Sequence, residues 1–111
     1  MLFQTLTQDI SELEASLCYA FVDPTRILIL YALNDQPYTV NELTQKIGST
    51  QTKISRHLKV LRDHGLVRTA RHGVSITYKL ADSRLIKALD ILHDVLRDDL
   101  AFKASLVTEA E

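Results

Sequence analysis

Residues 39–65 read TVNELTQKIGSTQTKISRHLKVLRDHG and predict two short helices joined by a turn of about three residues. Thr39 and Glu42 match a capping box, in which the hydroxyl and the carboxylate each satisfy a free backbone N–H at a helix start. Gly48 ends the first helix, because glycine readily adopts the left-handed conformation that closes a helix. This pattern predicts a helix-turn-helix motif over residues 39–64.

The second helix of this motif has two faces of different chemistry. We expect Ser49 to cap its start and Gly65 to follow its end. Ile54, Leu58 and Leu61 recur at helical spacing, which predicts that they pack in the core. The opposite face carries hydroxyl and cationic side chains and no glutamate.

Residues 66–80 change from helical to alternating periodicity. Apolar and polar side chains alternate before and after His72-Gly73. A glycine-containing loop between two alternating runs predicts a β-hairpin. A helix-turn-helix followed by a hairpin is the pattern of a winged helix-turn-helix.

Three further helices complete the predicted fold. The first covers residues 5–21 and is amphipathic; Asp23 and Pro24 then start a second helix that is apolar on most sides and therefore buried. The last helix begins after Asp82-Ser83 and carries another leucine stripe. We therefore predict a single domain over residues 1–111, mainly α with a two-stranded β-hairpin wing, in the order four helices, two strands, one helix.

The composition excludes several classes of protein. The 111 residues are 46% apolar and 24% charged, which is ordinary for a globular domain. Cys18 is the single cysteine, so a disulfide-stapled secreted scaffold is excluded. No run of about 18 apolar residues and no signal-peptide pattern is present, so we expect a cytoplasmic protein.

The net charge of −1 conceals an uneven distribution along the chain. Residues 1–23 carry −4, residues 24–49 are neutral, residues 50–80 carry +6 and residues 81–111 carry −3. The basic block coincides with the second helix of the motif and the hairpin. Such asymmetry predicts a polyanionic partner for the middle of the chain.

The side chains opposite the core stripe predict that this partner is double-stranded DNA, because they combine donors for base edges with cations for phosphates. We expect the first turn of the second helix to touch bases, and Lys59 and Arg62 to lie nearer the backbone. Arg71 and His72 at the hairpin tip would enter the minor groove or follow phosphates. For His57, packing beside the core stripe and contact with a phosphate both stay open. The candidate DNA-binding residues are Ser49, Gln51, Thr52, Lys53, Ser55, Arg56, His57, Lys59, Arg62, Arg71 and His72.

Several motifs, in order and spacing, resemble the ArsR/SmtB family of bacterial and archaeal repressors. The resemblance covers about residues 17–100 and rests on DPTRILIL at 23–30, VNEL at 40–43, SRHLKVL at 55–61, GLV at 65–67 and the strand containing Tyr78. It implies a homodimer that binds an inverted repeat and leaves it when an effector binds. The sequence by itself identifies neither the effector nor the operator, nor whether regulation is purely repressive.

The first and last helices are the predicted subunit interface. The resemblance implies this arrangement, and their leucine stripes independently favour it, because one small domain can hardly cover both. The alternative is that both stripes pack on the second helix of the same chain. The candidate interface residues are Leu6, Ile10, Leu13, Leu17, Leu89, His93, Leu96 and Leu100.

The metal ligands that the resemblance implies are missing, so we expect no metal or other cofactor. Family members often carry Cys-x-Cys after Glu-Leu in the third helix, where this chain has Thr44, Gln45 and Lys46. A second family site uses Asp-x-His and later His-x-x-Glu. Here Leu92 follows Asp90 at the histidine position, and Lys103 and Leu106 stand at the later positions.

Other functions are weaker alternatives. His93 near the predicted twofold axis could hold a metal or be an ordinary interface histidine. Cys18 could be a redox sensor with a partner from the other subunit, although a small buried apolar role is favoured. A winged-helix module that binds protein is a further alternative. No constellation of catalytic residues is present, so we expect that the protein is not an enzyme.

Overall fold

The computed structural model describes residues 2–110 and has the predicted order of elements. The helix α1 spans Phe3–Ala20, with a π-helical segment at Ile10–Glu14. The remaining elements are α2 (Pro24–Asp35), α3 (Val40–Ile47), α4 (Gln51–Asp63), β1 (Val67–His72), β2 (Ser75–Leu80) and α5 (Arg84–Ala110). The prediction of a mainly α fold with a two-stranded wing is confirmed.

Helix α2 is the central helix of the core, as its all-round apolarity predicts. Its N-cap is Asp23, whose carboxylate Oδ1 accepts a hydrogen bond from the backbone N–H of Thr25 at 2.7 Å, and Pro24 occupies the first turn. Within residues 2–110, no single helix is long and apolar enough to cross a membrane. Helices α1 and α2, bent by 87° at their junction, meet those length and composition criteria only as a pair.

Helices α3 and α4 form the helix-turn-helix. The capping box is confirmed: Thr39 Oγ1 accepts from Glu42 N–H at 3.2 Å, and Thr39 N–H donates to Glu42 Oε1 at 2.9 Å. Gly48 closes α3 with a φ of 77°, in the left-handed region. The predicted cap of α4 is wrong by one residue, because Thr50 Oγ1, and not Ser49, accepts from the N–H of Lys53 at 3.2 Å.

The wing is an antiparallel hairpin with a two-residue turn. Its register pairs Val67 with Leu80 and His72 with Ser75, so His72 ends β1 and does not lie in the turn as predicted. The turn consists of Gly73 and Val74, and of these two only Gly73 has a positive φ, of 65°. This is the pattern of a type II′ turn, which matches the twist of the flanking strands.

A short backbone bridge fastens the wing to the helix-turn-helix. Tyr38, two residues before α3, exchanges backbone hydrogen bonds with Tyr78 of β2 at 3.1 and 2.8 Å. At the base of the hairpin, the N–H of Leu66 donates to the carbonyl of Leu61 in α4 at 2.9 Å. The wing is therefore held at both its middle and its base.

The core is formed where α2, α3, α4 and the start of β1 meet. Helix α5 adds Ile86 and Leu89 from its first turns, whereas α1 contributes Ala20 near its end. The largest fully buried side chains are Ile29, Leu30, Leu43, Ile54, Leu58, Leu61 and Val67. Most of α1 and α5 therefore projects from this core.

We expect Thr39→Ala to lower the free energy of unfolding by about 1 kcal/mol, because the N–H of Glu42 loses its acceptor. Urea unfolding at fixed protein concentration measures the change. Thr39→Ser keeps an accepting hydroxyl and should retain most of the stability. Equal losses in the two variants would show that the hydroxyl of the capping box contributes nothing.

Candidate nucleic-acid interface

The outward face of α4 is a continuous exposed polar surface. The same helix buries Ile54, His57, Leu58 and Leu61 on its other side. Thr52, Arg56 and Lys59 lie along the centre of the outward face, since they are spaced by four and three residues. The exposed candidates on α4 are Gln51, Thr52, Lys53, Ser55, Arg56, Lys59 and Arg62.

The charges of this face are positive except at the C-terminal end of α4. Asp63 is the one acidic residue of α4, and its Oδ2 lies 3.1 Å from Nζ of Lys59. This ion pair is exposed, so its contribution to stability is small. Among residues 2–110, no ion pair involves Lys53, Arg56 or Arg62, so these cations are available to an external anion.

Two predicted contacts, Arg71 and His72, lie on opposite faces of the wing. Residues that pair across an antiparallel hairpin share a face, and successive residues alternate between faces. His72 therefore lies on the same face as the exposed cross-strand pair Arg68 and Lys79, while Arg71 lies on the opposite face beside Ile76. Arg68 and Lys79 are not among the candidates predicted from the sequence, although the alternation of the hairpin already places both cations on the face of His72.

His57 does not lie on the outward face of α4, which corrects its inclusion among the candidate contacts. It is only 6% exposed and is the one buried polar residue among those that the structure describes. Its Nδ1 accepts a hydrogen bond from Nε of Arg26 at 3.2 Å, and its Nε2 lies 3.9 Å from a carboxylate oxygen of Asp23. Of the two possibilities left open, packing beside the core stripe is the correct one.

The surroundings of His57 favour its neutral form. Burial lowers the pKa of His57, and the positive charges of Arg26, Arg56 and Lys53 act in the same direction, against the carboxylate of Asp23. Because Nδ1 accepts the hydrogen bond from Arg26, the ring hydrogen lies on Nε2, toward Asp23. The pKa of Asp23 is lowered, first by the hydrogen bond from the Thr25 backbone.

The predicted dimer face is largely exposed in the single chain. Leu89 is an exception, because it is only 7% exposed and packs in the core of the single chain. Leu17 is half-buried against the same core. The other candidates, Leu6, Ile10, Leu13, His93, Leu96 and Leu100, are exposed.

An apolar groove of about 560 Å³ lies between α2 and α5, on this same side of the molecule. Tyr31 lines this groove, and its hydroxyl donates a hydrogen bond to Oδ1 of Asp90 at 2.8 Å. Burial raises the pKa of Tyr31, and the hydrogen bond to Asp90 raises it further. The groove is lined by Phe21, Ile27, Tyr31, Leu89, Asp90, Leu92, His93 and Leu96.

Comparison with known proteins identifies the family. Residues 23–69 match the family described as bacterial regulatory protein, arsR family. The nodulation protein NolR of Rhizobium meliloti is 35% identical over 89 residues, which cover 80% of this chain and 73% of NolR. The HTH-type transcriptional regulator CmtR of Mycobacterium tuberculosis is 42% identical over 82 residues, 74% of this chain and 70% of CmtR.

The chain belongs to the arsR family. The crystal structure of the transcriptional repressor BigR from Xylella fastidiosa superimposes with a TM-score of 0.72 at 28% identity, over 86% of this chain and 96% of BigR. The resemblance found in the sequence is therefore confirmed, and so is the winged helix-turn-helix fold. The family consists of transcriptional regulators.

This member of the arsR family differs from the expectations about sensing residues in one respect. Cys18 is exposed in the single chain, whereas the sequence favours a small buried role. Among the described residues, no group of three or more His, Cys, Asp or Glu side chains is arranged to hold a metal ion. Asp90, for which the resemblance implied a ligand position, accepts a hydrogen bond from the hydroxyl of Tyr31.

The lowered pKa of His57 predicts a pH dependence of stability. The unfolded chain binds a proton near pH 6.5, whereas the folded chain resists protonation until lower pH. The contribution of neutral His57 is therefore present above that pH and is lost as the pH falls below it. We expect the wild type to lose more stability than His57→Gln between about pH 7.5 and about pH 5.5.

Urea unfolding of both proteins across this range checks the prediction. The two proteins differ only at position 57, so the difference between their stability curves reports on this residue alone. Parallel stability curves for the wild type and His57→Gln would show that His57 carries no such contribution.

Proposed function

We propose that this chain is a homodimeric transcriptional repressor that binds a pseudo-palindromic double-stranded operator and is released by an effector. The observation that supports this most strongly is the outward face of α4, where cations and hydrogen-bonding side chains are exposed opposite a buried apolar stripe. In helix-turn-helix proteins, the second helix of the motif lies in the major groove, and its outward side chains contact the DNA. We assign this chain a binding function and no catalytic step.

The N-terminal half of α4 is the proposed reader of base edges. Gln51, Thr52 and Ser55 offer short polar groups there, and Arg56 can donate two hydrogen bonds to one guanine. Farther along the helix, Arg62 and the partly neutralised Lys59 are proposed to contact the phosphate backbone. Ser49, in the turn before α4, and Lys53 belong to the same proposed surface.

The hairpin is the proposed second contact with DNA. Arg71 near its tip is proposed to contact the minor groove or a phosphate. His72, Arg68 and Lys79 form a separate cationic face, which would meet a different part of the backbone. The +6 charge of residues 50–80 supports both proposals, because it combines α4 and the hairpin on one polyanion-attracting segment.

The dimer is proposed to form through α1 and α5. Their exposed apolar side chains and the groove beside Tyr31 are too extensive for the surface of a stable monomer. Both helices lie in acidic segments of the chain, outside the basic segment 50–80. A twofold axis would place two α4 helices about 34–36 Å apart, one turn of DNA, so the operator should be an inverted repeat.

Repression is proposed because BigR of Xylella fastidiosa, to which this chain is similar, is a transcriptional repressor. A regulator of this kind acts where the genomic DNA lies, so we propose a cytoplasmic location. The groove and the residues His93 and Cys18 are near the proposed subunit boundary, but none of them identifies the effector.

The first test is DNA binding by Arg56→Ala. The operator is first identified by selecting, from random DNA, the sequences that the wild type binds. The affinity of the variant for this operator is then measured by gel shift. We expect Arg56→Ala to weaken binding by about 10- to 100-fold, because the contact with a base edge is lost. Lys87→Ala, which removes an exposed cation from the first half of α5, is the control and should bind as the wild type does.

The salt dependence of the same measurements separates base contacts from phosphate contacts. Arg71→Ala should lower the slope of affinity against salt concentration by about one if Arg71 touches a phosphate. A wild-type dimer with no salt-dependent affinity for any DNA would contradict the proposal and favour a module that binds protein.

The second test is dimerisation by Leu96→Glu. Leu96 is 63% exposed and lines the groove, so the substitution leaves the single chain folded. We expect the dimer dissociation constant to rise at least about tenfold, because an unpaired carboxylate would be buried in an apolar interface. Analytical ultracentrifugation measures it. Val74→Glu, at the 99% exposed hairpin turn, is the control, and an equal effect of both would refute the interface.

A further inference from the structure

Arg26 connects three helices with one side chain. It belongs to the first turn of α2, and its Nη1 donates to the backbone carbonyl of Tyr19 near the end of α1 at 3.2 Å. Its guanidinium carbon also lies 5.6 Å from the centre of the Tyr19 ring. In the other direction, its Nε donates to Nδ1 of His57 in the middle of α4 at 3.2 Å. The end of α1 and the helix α4 are thereby joined through a single rigid, planar group.

Asp23 completes this cluster on the other side of His57. It caps α2 through the N–H of Thr25, so its position is set by the start of that helix. Its second carboxylate oxygen faces the protonated Nε2 of His57 at 3.9 Å, a longer and purely electrostatic contact. Both ring nitrogens of His57 therefore face charged groups from the α1–α2 junction.

The cluster contributes directionality that the apolar core lacks. Ile54, Leu58 and Leu61 pack through non-directional contacts, which tolerate a small rotation or shift of α4. The hydrogen bond to Arg26 requires one ring orientation and one distance. His57 lies next to Arg56 in the chain, so a shift of α4 that breaks this bond also moves the outward face.

We propose that Arg26, acting through His57, is a positioning residue that holds α4 at a fixed place relative to α1 and so sets the operator spacing. The inference rests on the proposed function, in which α1 belongs to the subunit interface and α4 meets DNA. In such a dimer, the chain of contacts from the interface through Tyr19 and Arg26 to His57 fixes the separation of the two α4 helices.

A contact of Tyr19 with the end of α4 runs parallel to this path. The rings of Tyr19 and His64 are 5.8 Å apart, and Nδ1 of His64 lies 2.9 Å from the carbonyl of Val60. This second contact is aromatic and tilted by 35°, and it involves no charged hydrogen bond. Arg26 is thus the stronger and more directional of the two connections.

The test measures how strictly the protein reads the distance between two half-sites. The probes are the selected operator, versions with one or two base pairs added or removed between the half-sites, and a single half-site. The wild type should prefer one spacing. Arg26→Met keeps the length and packing of the side chain but removes every donor, so it should reduce that preference at least about fivefold.

The expected change is confined to spacing. Arg26→Met should alter the affinity for the single half-site by less than about twofold, and ultracentrifugation should show an unchanged dimer. A purely structural role would lower binding to all probes in proportion to lost folding, and would leave the preference between spacings as it is. That result would overturn the inference.

Two variants of His57 provide a matched pair and an independent test if Arg26→Met does not fold. His57→Leu fills the buried site without an acceptor for Arg26 and should reproduce the loss of spacing preference. His57→Gln retains an acceptor oxygen for Arg26 and should keep most of the spacing preference of the wild type. Lys87→Met, in the first half of α5, serves as the control for removal of a long cationic side chain and should behave as the wild type.

The outcomes separate this inference from the proposed function. A wild type that binds no DNA overturns both. A wild type with a strict spacing preference that persists in Arg26→Met and in His57→Leu overturns the positioning role alone and leaves the repressor assignment standing.

Discussion

The burial of one side of α4 is the constraint on which the rest of the structure depends. Ile54, Leu58 and Leu61 are fully buried in a common core with Ile29 and Leu30 of α2. Burying a side chain of this kind contributes about 1.5–3 kcal/mol relative to leaving it exposed. Since this face is held inside, the opposite face of the helix has to be presented to solvent, with its orientation set by the core.

The exposed face of α4 and the wing carry most of the basic charge of the chain. Like charges on one surface repel, so a basic helix and wing are tolerated because they are exposed and lie in water of high dielectric constant. The acidic residues of the two ends balance them only in the total of −1. A near-neutral chain can therefore carry a strongly basic surface, and a net charge by itself says little about the partner of such a protein.

Local signals in the sequence predicted most of the fold because they act within a few residues. The capping box of Thr39 and the left-handed Gly48 depend only on neighbours in the chain, and both were predicted correctly. The errors in element boundaries are shifts of one residue: Thr50 replaces Ser49 as the cap of α4, and His72 belongs to β1 instead of the turn. In both places adjacent residues were chemically suitable, and the geometry of the turn selected between them.

The sequence by itself determined the order of elements, the two faces of α4, the basic middle of the chain and the arsR resemblance, because periodicity, capping and composition are properties of short stretches. Only the tertiary structure decided that His57 is buried between Arg26 and Asp23, and that Leu89 belongs to the core. His57 and Arg26 are 31 residues apart, and no spacing rule pairs side chains at that distance. Their contact exists because the core brings the start of α2 against the middle of α4.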